Sequence, residues 1–517
     1  MRVPYRQELT PVSFLERAGV VHAERPAVVD GAIRFTWSEF RDRSRRLASA
    51  LRASGLSHGD RVAFVALNSE PLLLAHFGVL QAGGVLVPVN TRLNAAEVGY
   101  ILDHSGARFL FVSPELEALV PASAPGLAVI RLGPDFEAFL GRGSAAPVES
   151  WLESEDELCA IDYTSGTTGR AKGVMYHHRG AYLNALGMVV ENRLDATSTV
   201  LWTLPMFHCD GWSQTWSMAA AGCRSLAIPR IDPGEVWELL EREGVTHFNA
   251  APTVLIMLAN HPSARRLARP VRVCTGGAPP SPTLIAQMAE LNIDLVHLYG
   301  LTETYGPLTI NVPPPGVEEA EATERARYAA RQGFIHVTAG EVRVVGDDLA
   351  DVPADGESLG EVVAVGNTLM MGYYRQPEET AAAFQGGFLH TGDVGVRHPD
   401  GSIELRDRKK DIVISGGENI STIEVEQAVM SHPAVMEAAV VAVPDEHWGE
   451  VPKAFVSLKP GAEATAEEII RHVRQRIAHF KAPRHVEFGE LPKTSTGKIQ
   501  KFLLREREWA GRESRIH

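Results

Sequence analysis

Between Thr36 and Val112 the sequence alternates helix and strand signals, with a turn at every junction, and this rhythm restricts the fold more than any other feature. Thr36 and Glu39 have the spacing of a capping box, and the amphipathic run behind them stops at Ser54 and Gly55. Residues 61–67 read as a short apolar strand, 70–81 as a helix ended by Gly83 and Gly84, and 85–89 as a second buried strand. Asn94 caps a third helix that stops at Ser105 and Gly106, before a strand over 108–112. Repeated βαβ units imply a largely parallel sheet with helices on its faces.

From residue 114 to about residue 155 the signals are weak, and the segment is expected to form surface connections. Residues 313–331 are proline-rich and then charged, as in a solvated helix. Past Asp407 the pattern changes. It gives a strand over 411–414, a turn at Gly416 and Gly417, a helix over 421–430, strands over 435–443 and 453–458, and a helix over 466–478. This reads as a separate small α+β unit, so the expected domains are 1–409 and 410–517. No internal repeat is visible.

The chain has 517 residues and a formal net charge of -14, which argues against broad binding to nucleic acid or to anionic membranes. A local cation cluster at Arg406, Arg408, Lys409 and Lys410 still suits a small anion. Cys159, Cys209, Cys223 and Cys274 lack metal-ligand spacing and read as small buried hydrophobes. The N-terminus lacks the apolar core of a signal peptide, no apolar run is long enough to span a bilayer, and the last residues are not a peroxisomal address. A cytoplasmic protein is expected.

The most specific string is YTSGTTGRAKG, residues 163–173, fed by a strand from Leu158. Gly166, Gly169 and Gly173 allow tight turns and expose N–H groups. Thr164, Ser165, Thr167 and Thr168 offer hydroxyl donors, and Lys172 a mobile positive charge. The set suits a polyphosphate, and its spacing is not that of a Walker A loop.

The string resembles the phosphate-binding signature of the adenylate-forming superfamily, which includes acyl-CoA synthetases, firefly luciferase and nonribosomal peptide adenylation domains. Further motifs follow in the family's order: LPMFH (204–208), GGAP (276–279), YGLTE (299–303), TGD (391–393), DRKKD (407–411) and PKTSTGK (492–498). The resemblance runs from about residue 11 to residue 505. It implies an α/β fold, with a large N-terminal domain of parallel sheets flanked by helices plus a β-barrel-like part, and a small mobile α+β C-terminal domain.

It also implies roles. ATP or AMP would meet Thr164, Ser165, Gly166, Thr167, Thr168, Gly169 and Lys172 in the loop. Further contacts would come from Gly277, Ala278, Pro279, Tyr299, Gly300 and Thr302, with Asp393 on the ribose and Arg408 beside it. Glu303 would hold Mg2+, and Lys498 would meet charge developing during adenylation; Lys498, Glu303, His208 and Thr167 form the expected catalytic set. Lys410 would be the hinge, and Gly416 and Gly417 would border the tunnel for coenzyme A. Outside these motifs each residue has an ordinary use: Tyr299 in a core, Glu303 in solvent, Lys498 on a surface loop.

The acyl pocket is expected from His208, Trp212, Cys274, Gly276 and Tyr305. Amino-acid-activating relatives usually carry Asp where His208 stands, so the substrate is expected to be another kind of acid. FHCDGW (207–212), YHHRGAYLN (176–184) and YGLTETYGP (299–307) look like plant acyl-activating enzymes and methylmercaptopropionate-type CoA ligases. The implied reaction is ATP-dependent ligation of a short- to medium-chain or small aromatic carboxylic acid to coenzyme A through acyl-AMP. The alternative acceptor is a carrier-protein thiol or an amine. Dimers are common in the family, and a homodimer is the assembly it allows. Asp210 departs from those relatives, which usually have Asn; a carboxylate there would either repel an anionic substrate tail or cap a helix, and the cap is the favoured reading.

Overall fold

The computed structural model describes residues 5–121, 126–164, 171–408, 411–415, 418–445, 447–494 and 498–510. The first unit is a six-stranded sheet in the order Ala128–Arg131, Ala107–Val112, Arg61–Val65, Val85–Pro88, Leu158–Thr164, Lys172–His177. All neighbours are parallel except the last pair, a hairpin. The expected capping box forms at Thr36, and the cap at Asn94 is a second one. Thr36 Oγ1 accepts from Glu39 N while Glu39 Oε2 accepts from Thr36 N at 2.8 Å, and Asn94 and Glu97 make the same reciprocal pair. The helix Glu70–Gln81 has no solvent stripe: 11 of its 12 residues are buried, so it is an interior helix.

A nine-stranded sheet lies beside it. Its centre, from Ile293–Leu301 through Val271–Thr275, His247–Ala250, Thr199–Trp202 and Arg224–Ala227 to Pro26–Asp30, is parallel. Its edges, Ile33–Thr36 on one side and Gly306–Ile310 with Phe334–Ile335 on the other, are antiparallel. Where the family resemblance implies a barrel-like part, Glu341–Val345, Gly360–Val365, Leu389–Arg397 and Ile403–Arg408 pair antiparallel in a row.

The segment after residue 114 differs from the expectation of plain connections. It contributes the edge strand Ala128–Arg131 and the helix Pro134–Leu140. Phe136 and Phe139 are buried there against Phe111, with ring centroids 5.6 and 5.5 Å away. An edge strand open to solvent carries no alternating pattern, which is why the sequence concealed it. The charged stretch does hold a largely exposed helix, Ala322–Ala329.

The C-terminal part centres on the hairpin of Val435–Asp445 and Gly449–Leu458. Its alternation separates two cores: Val440 and Ala442 face the helices Thr422–Met430 and Ala466–Arg474, while Ala439, Val441 and Val443 pack with Leu504 of the last helix. This part is tied to the strand Ile403–Arg408. Asp407 Oδ2 accepts from Thr422 N at 2.6 Å and from Thr422 Oγ1 at 2.7 Å, and the Ser421 hydroxyl donates to the carbonyl of Arg406.

Candidate active site

The hairpin register puts Asp393 opposite Arg408. Arg408 Nε lies 3.3 Å from Asp393 Oδ1, and Tyr299 donates its hydroxyl to Asp393 Oδ2 at 2.7 Å. The Thr391 hydroxyl accepts from the Asp393 amide at 3.1 Å and fixes the turn. Tyr299 and Asp393 are both buried, and burial, with Asp393 alongside, pushes the Tyr299 hydroxyl well up. The next residue must be glycine, because a Cβ on Gly300 would lie 1.6 Å from the carbonyl oxygen of Gly306.

Beyond it, the turn Thr302–Thr304 presents Glu303, whose carbonyl accepts from Met370 N at 2.8 Å. Its Oε1 accepts from the Tyr373 hydroxyl at 2.8 Å, and Lys172 Nζ sits 4.8 Å from the centre of the Tyr373 ring. Thr164 and Lys172 are register partners at the mouth of the glycine-rich hairpin. Ser165, Gly166, Thr167, Thr168 and Gly169 lie outside the described residues, as do Lys410, Gly416 and Gly417. Gly277 is exposed and Ala278 and Pro279 half-buried, on the loop that follows the strand Val271–Thr275.

Lys498 comes to this place from the far end of the chain. Its amide donates to the Thr494 hydroxyl at 3.0 Å. Burial brings the ammonium down to about 8, with Arg408 adding to the effect and Asp393 and Asp411 opposing it. His208 is half-buried, and burial, then Lys498, pushes its imidazole down to about 4. It is therefore neutral at neutral pH and can serve as a hydrogen-bonding group rather than a fixed charge.

Trp212 is buried in a compact cluster with Leu204, Cys209, Cys274, Val296, Leu298 and Ile310. A Cβ on Gly276 would come within 2.7 Å of Leu298 Cδ1 and 3.4 Å of Trp212 Cη2, so glycine lets the strand pass close. Cys274 is fully buried, donates to Asn192 Oδ1 at 3.1 Å, and has its thiol pushed up to about 12 by burial. Tyr305 sits apart from this cluster. Its ring stacks on Tyr176 at 3.9 Å, and its hydroxyl accepts from His177 N at 2.6 Å. It is fully buried in the main core.

The reading of Asp210 as a helix cap is corrected by the structure. The one-turn element Cys209–Trp212 has no side-chain cap, and the Asp210 carboxylate is fully buried 3.1 Å from His76 Nε2. The backbone here is left-handed over five successive residues, with φ of 51° at Cys209, 49° at Asp210, 62° at Gly211, 59° at Trp212 and 57° at Ser213. Each non-glycine residue in that conformation costs about 1–2 kcal/mol, so the surroundings must enforce it. Thr215 Oγ1 donates to the Asp210 carbonyl at 3.0 Å and Asn184 Nδ2 to Ser213 Oγ at 2.9 Å. The sequence reading passed over His76, Asp162 and Tyr373. Only His76 carried a signal, as an ionisable residue inside the apolar run 72–80.

A buried acid–tyrosine–arginine group, a carboxylate beside the glycine-rich hairpin and a lysine from the last motif bring together residues of motifs that lie far apart in sequence. The AMP-binding enzyme family model matches residues 15–374, and the AMP-binding enzyme C-terminal domain model matches residues 424–498. The chain belongs to this family. A 4-hydroxybutyrate–CoA ligase of Metallosphaera sedula is 41% identical, over 96% of this chain and 94% of its own. An acetate–CoA ligase of Humulus lupulus is also 41% identical, over 96% and 94%. Among solved structures, an anthranilate CoA ligase in complex with anthranoyl-AMP superposes with a TM-score of 0.87 at 26% identity, covering 98% of this chain and 99% of that one. A benzoate CoA ligase from Burkholderia xenovorans gives 0.85 at 26%, covering 96% and 100%.

AMP-binding enzymes of this kind use ATP, Mg2+ and coenzyme A. Among the described residues no group of three or more His, Cys, Asp or Glu could hold a metal ion. Glu303 fits a magnesium that takes one carboxylate and completes its shell with phosphate oxygens and water. No helix among the described residues is long and apolar enough to cross a membrane.

Proposed function

We propose that this AMP-binding enzyme, an ATP-dependent acid–CoA ligase, acts on short carboxylic acids and that the residues above divide the work as follows. Tyr299 offers its ring to adenine, and Asp393 accepts from the ribose hydroxyls with Arg408 beside it. Thr164 and Lys172, with the loop between them, take the phosphates. Glu303 would hold the magnesium, which neutralises charge on the triphosphate.

A carboxylate oxygen of the acid attacks the α-phosphorus, the bond to the β-phosphate oxygen breaks, and pyrophosphate leaves. The Lys498 ammonium meets the negative charge that grows on the α-phosphoryl oxygens in that step. The thiol of coenzyme A then attacks the acyl carbon, loses its proton, and AMP leaves. Neutral His208 orients the acid, and Trp212, Gly276 and Cys274 close the apolar end of its pocket.

The observation that supports this reading is the buried Lys498 ammonium, which feels the charges of Arg408 and Asp393 and is itself felt by His208. Short aliphatic acids are favoured by the buried bulk of Trp212 and by the acids in the relatives' names: acetate, butyrate, 2-methylpropanoate and 4-hydroxybutyrate. The test is a panel of carboxylic acids scored for pyrophosphate release and for thioester, with and without coenzyme A. Rapid thioester formation from short acids is expected. Pyrophosphate release without thioester in the presence of coenzyme A would move the acceptor to another thiol or an amine. The same reading takes the enzyme to be cytoplasmic and homodimeric, with light scattering as the check on assembly.

A further inference from the structure

Behind the left-handed turn meet three ionisable side chains from separate elements: His76 of the interior helix Glu70–Gln81, Asp162 of the strand Leu158–Thr164, and Asp210 of the turn itself. His76 and Asp210 are 0% exposed and Asp162 2%. His76 Nδ1 lies 2.8 Å from the carbonyl oxygen of Leu72. A carbonyl only accepts, so Nδ1 carries a hydrogen, and in the neutral ring Nε2 is an acceptor. That acceptor faces Asp210 Oδ1 at 3.1 Å.

His76 Nε2 and the carboxyl oxygens of Asp210 and Asp162 are all buried without an aligned hydrogen-bond partner among the described residues, the two carboxyls face one another, and no lysine or arginine among those residues pairs with either. The remaining titratable groups facing the cluster are Cys159 on the strand of Asp162, Tyr176, Cys209 and Tyr305. Burial pushes all four up and keeps them neutral. Two carboxylates in a closed space with no cation cannot both be ionised cheaply, so below neutrality both keep a proton, and Asp162, pushed up further by burial and by Asp210, keeps its own the longer. On Asp210 that proton has an acceptor waiting in His76 Nε2.

We propose that Asp210 is a positioning residue of the acid site: as a protonated carboxyl it donates to His76 Nε2 and pins the left-handed turn that carries His208 and Trp212. The inference rests on the reading that these two side chains shape the acid pocket. Burial raises Asp210 to about 7, with the contact to Asp162 opposing, and holds His76 down at about 4. The proton is therefore lost on the alkaline side of neutrality. The resulting carboxylate would face the lone pair of Nε2 and loosen the turn.

The test compares wild type, Asp210→Asn and Asp210→Ala in steady-state kinetics between about pH 6 and about pH 8.5. Wild type should show the KM for the acid rising about tenfold over that range, with the KM for ATP steady. Asp210→Asn, whose amide can donate to Nε2 at any pH, should keep the low acid KM throughout. Asp210→Ala should show a high acid KM at every pH. A wild-type acid KM in Asp210→Ala, or an undiminished alkaline rise in Asp210→Asn, would overturn the proposal.

Infrared spectroscopy supplies a readout that needs no substrate. Wild type on the acid side of neutrality should carry the carbonyl band of a buried protonated carboxyl that Asp210→Asn lacks. Identical spectra would also overturn the proposal, even if the alanine variant failed to fold. An acid preference untouched by Trp212→Ala would instead count against the pocket reading, so the two failures are distinguishable.

Discussion

The hydroxyl of Tyr299 and the carboxylate of Asp393 are joined by a 2.7 Å hydrogen bond across 94 residues of sequence. The ring proposed for adenine and the acid proposed for ribose therefore form one unit. Tyr299→Phe keeps the ring and removes the donor. The loss of one such bond is worth about 0.5–1.5 kcal/mol, so the KM for ATP should rise about twofold to tenfold. The KM for the acid should hold. Pyrophosphate release at varied ATP is the measurement.

Lys498→Ala should lower acyl-AMP formation by about 100-fold or more and leave thioester formation from supplied acyl-AMP largely intact, since only the first step builds charge on the phosphate. The sign of the pH effect follows from the lowered value near 8. The ammonium is present below that pH and lost above it. kcat/KM for ATP should therefore fall on the alkaline side of about pH 8. Equal losses in both half-reactions would remove Lys498 from its assigned role.

Asp407 ties the strand Ile403–Arg408 to the first turn of the helix Thr422–Met430, and Lys501 Nζ donates to the same Thr422 hydroxyl at 2.6 Å. If the C-terminal part turns about a hinge at Lys410, these bonds belong to the orientation that delivers Lys498. Asp407→Ala should then slow adenylation more than thioester formation. Lys410→Pro should do the reverse, because proline fixes φ. Matched effects on both steps in both variants would place the hinge elsewhere.

Trp212→Ala should move the acid optimum towards longer chains, in a kcat/KM series from acetate to palmitate. Each added methylene gains only about 0.8 kcal/mol, so the shift should be gradual. The same variant should lose about 3–5 kcal/mol of stability, as large aromatic deletions in cores do, visible in thermal melts.

Asp210→Asn should become more stable than wild type as pH rises. The carboxyl moves from 3.8 in its ordinary state to about 7 in the folded chain. Between these values the folded state binds more protons than the unfolded one, so wild-type stability falls with rising pH and stays reduced above about pH 7. The amide does not titrate. Melting temperatures of the two proteins should separate progressively from about pH 4 to about pH 7 and run parallel above that.

Local chemistry made much of this legible without coordinates. The caps at Thr36 and Asn94, the helix over 70–81 and the strand from Leu158 that feeds the glycine-rich loop depend on contacts within a few residues or on simple periodicity, which a linear sequence displays directly. The ordered motifs carried the family, because each is a short backbone shape with its own required residues. What tertiary packing alone decided is who meets whom across the chain. His76, Asp162 and Asp210 converge from three elements, so Asp210 is a buried acid and not a cap. Tyr373 reaches Glu303 over 70 residues, and Tyr305 disappears into the main core. Such meetings depend on how sheets and helices stack and on the desolvation that follows, and neither quantity is written in the neighbours of a residue along the sequence.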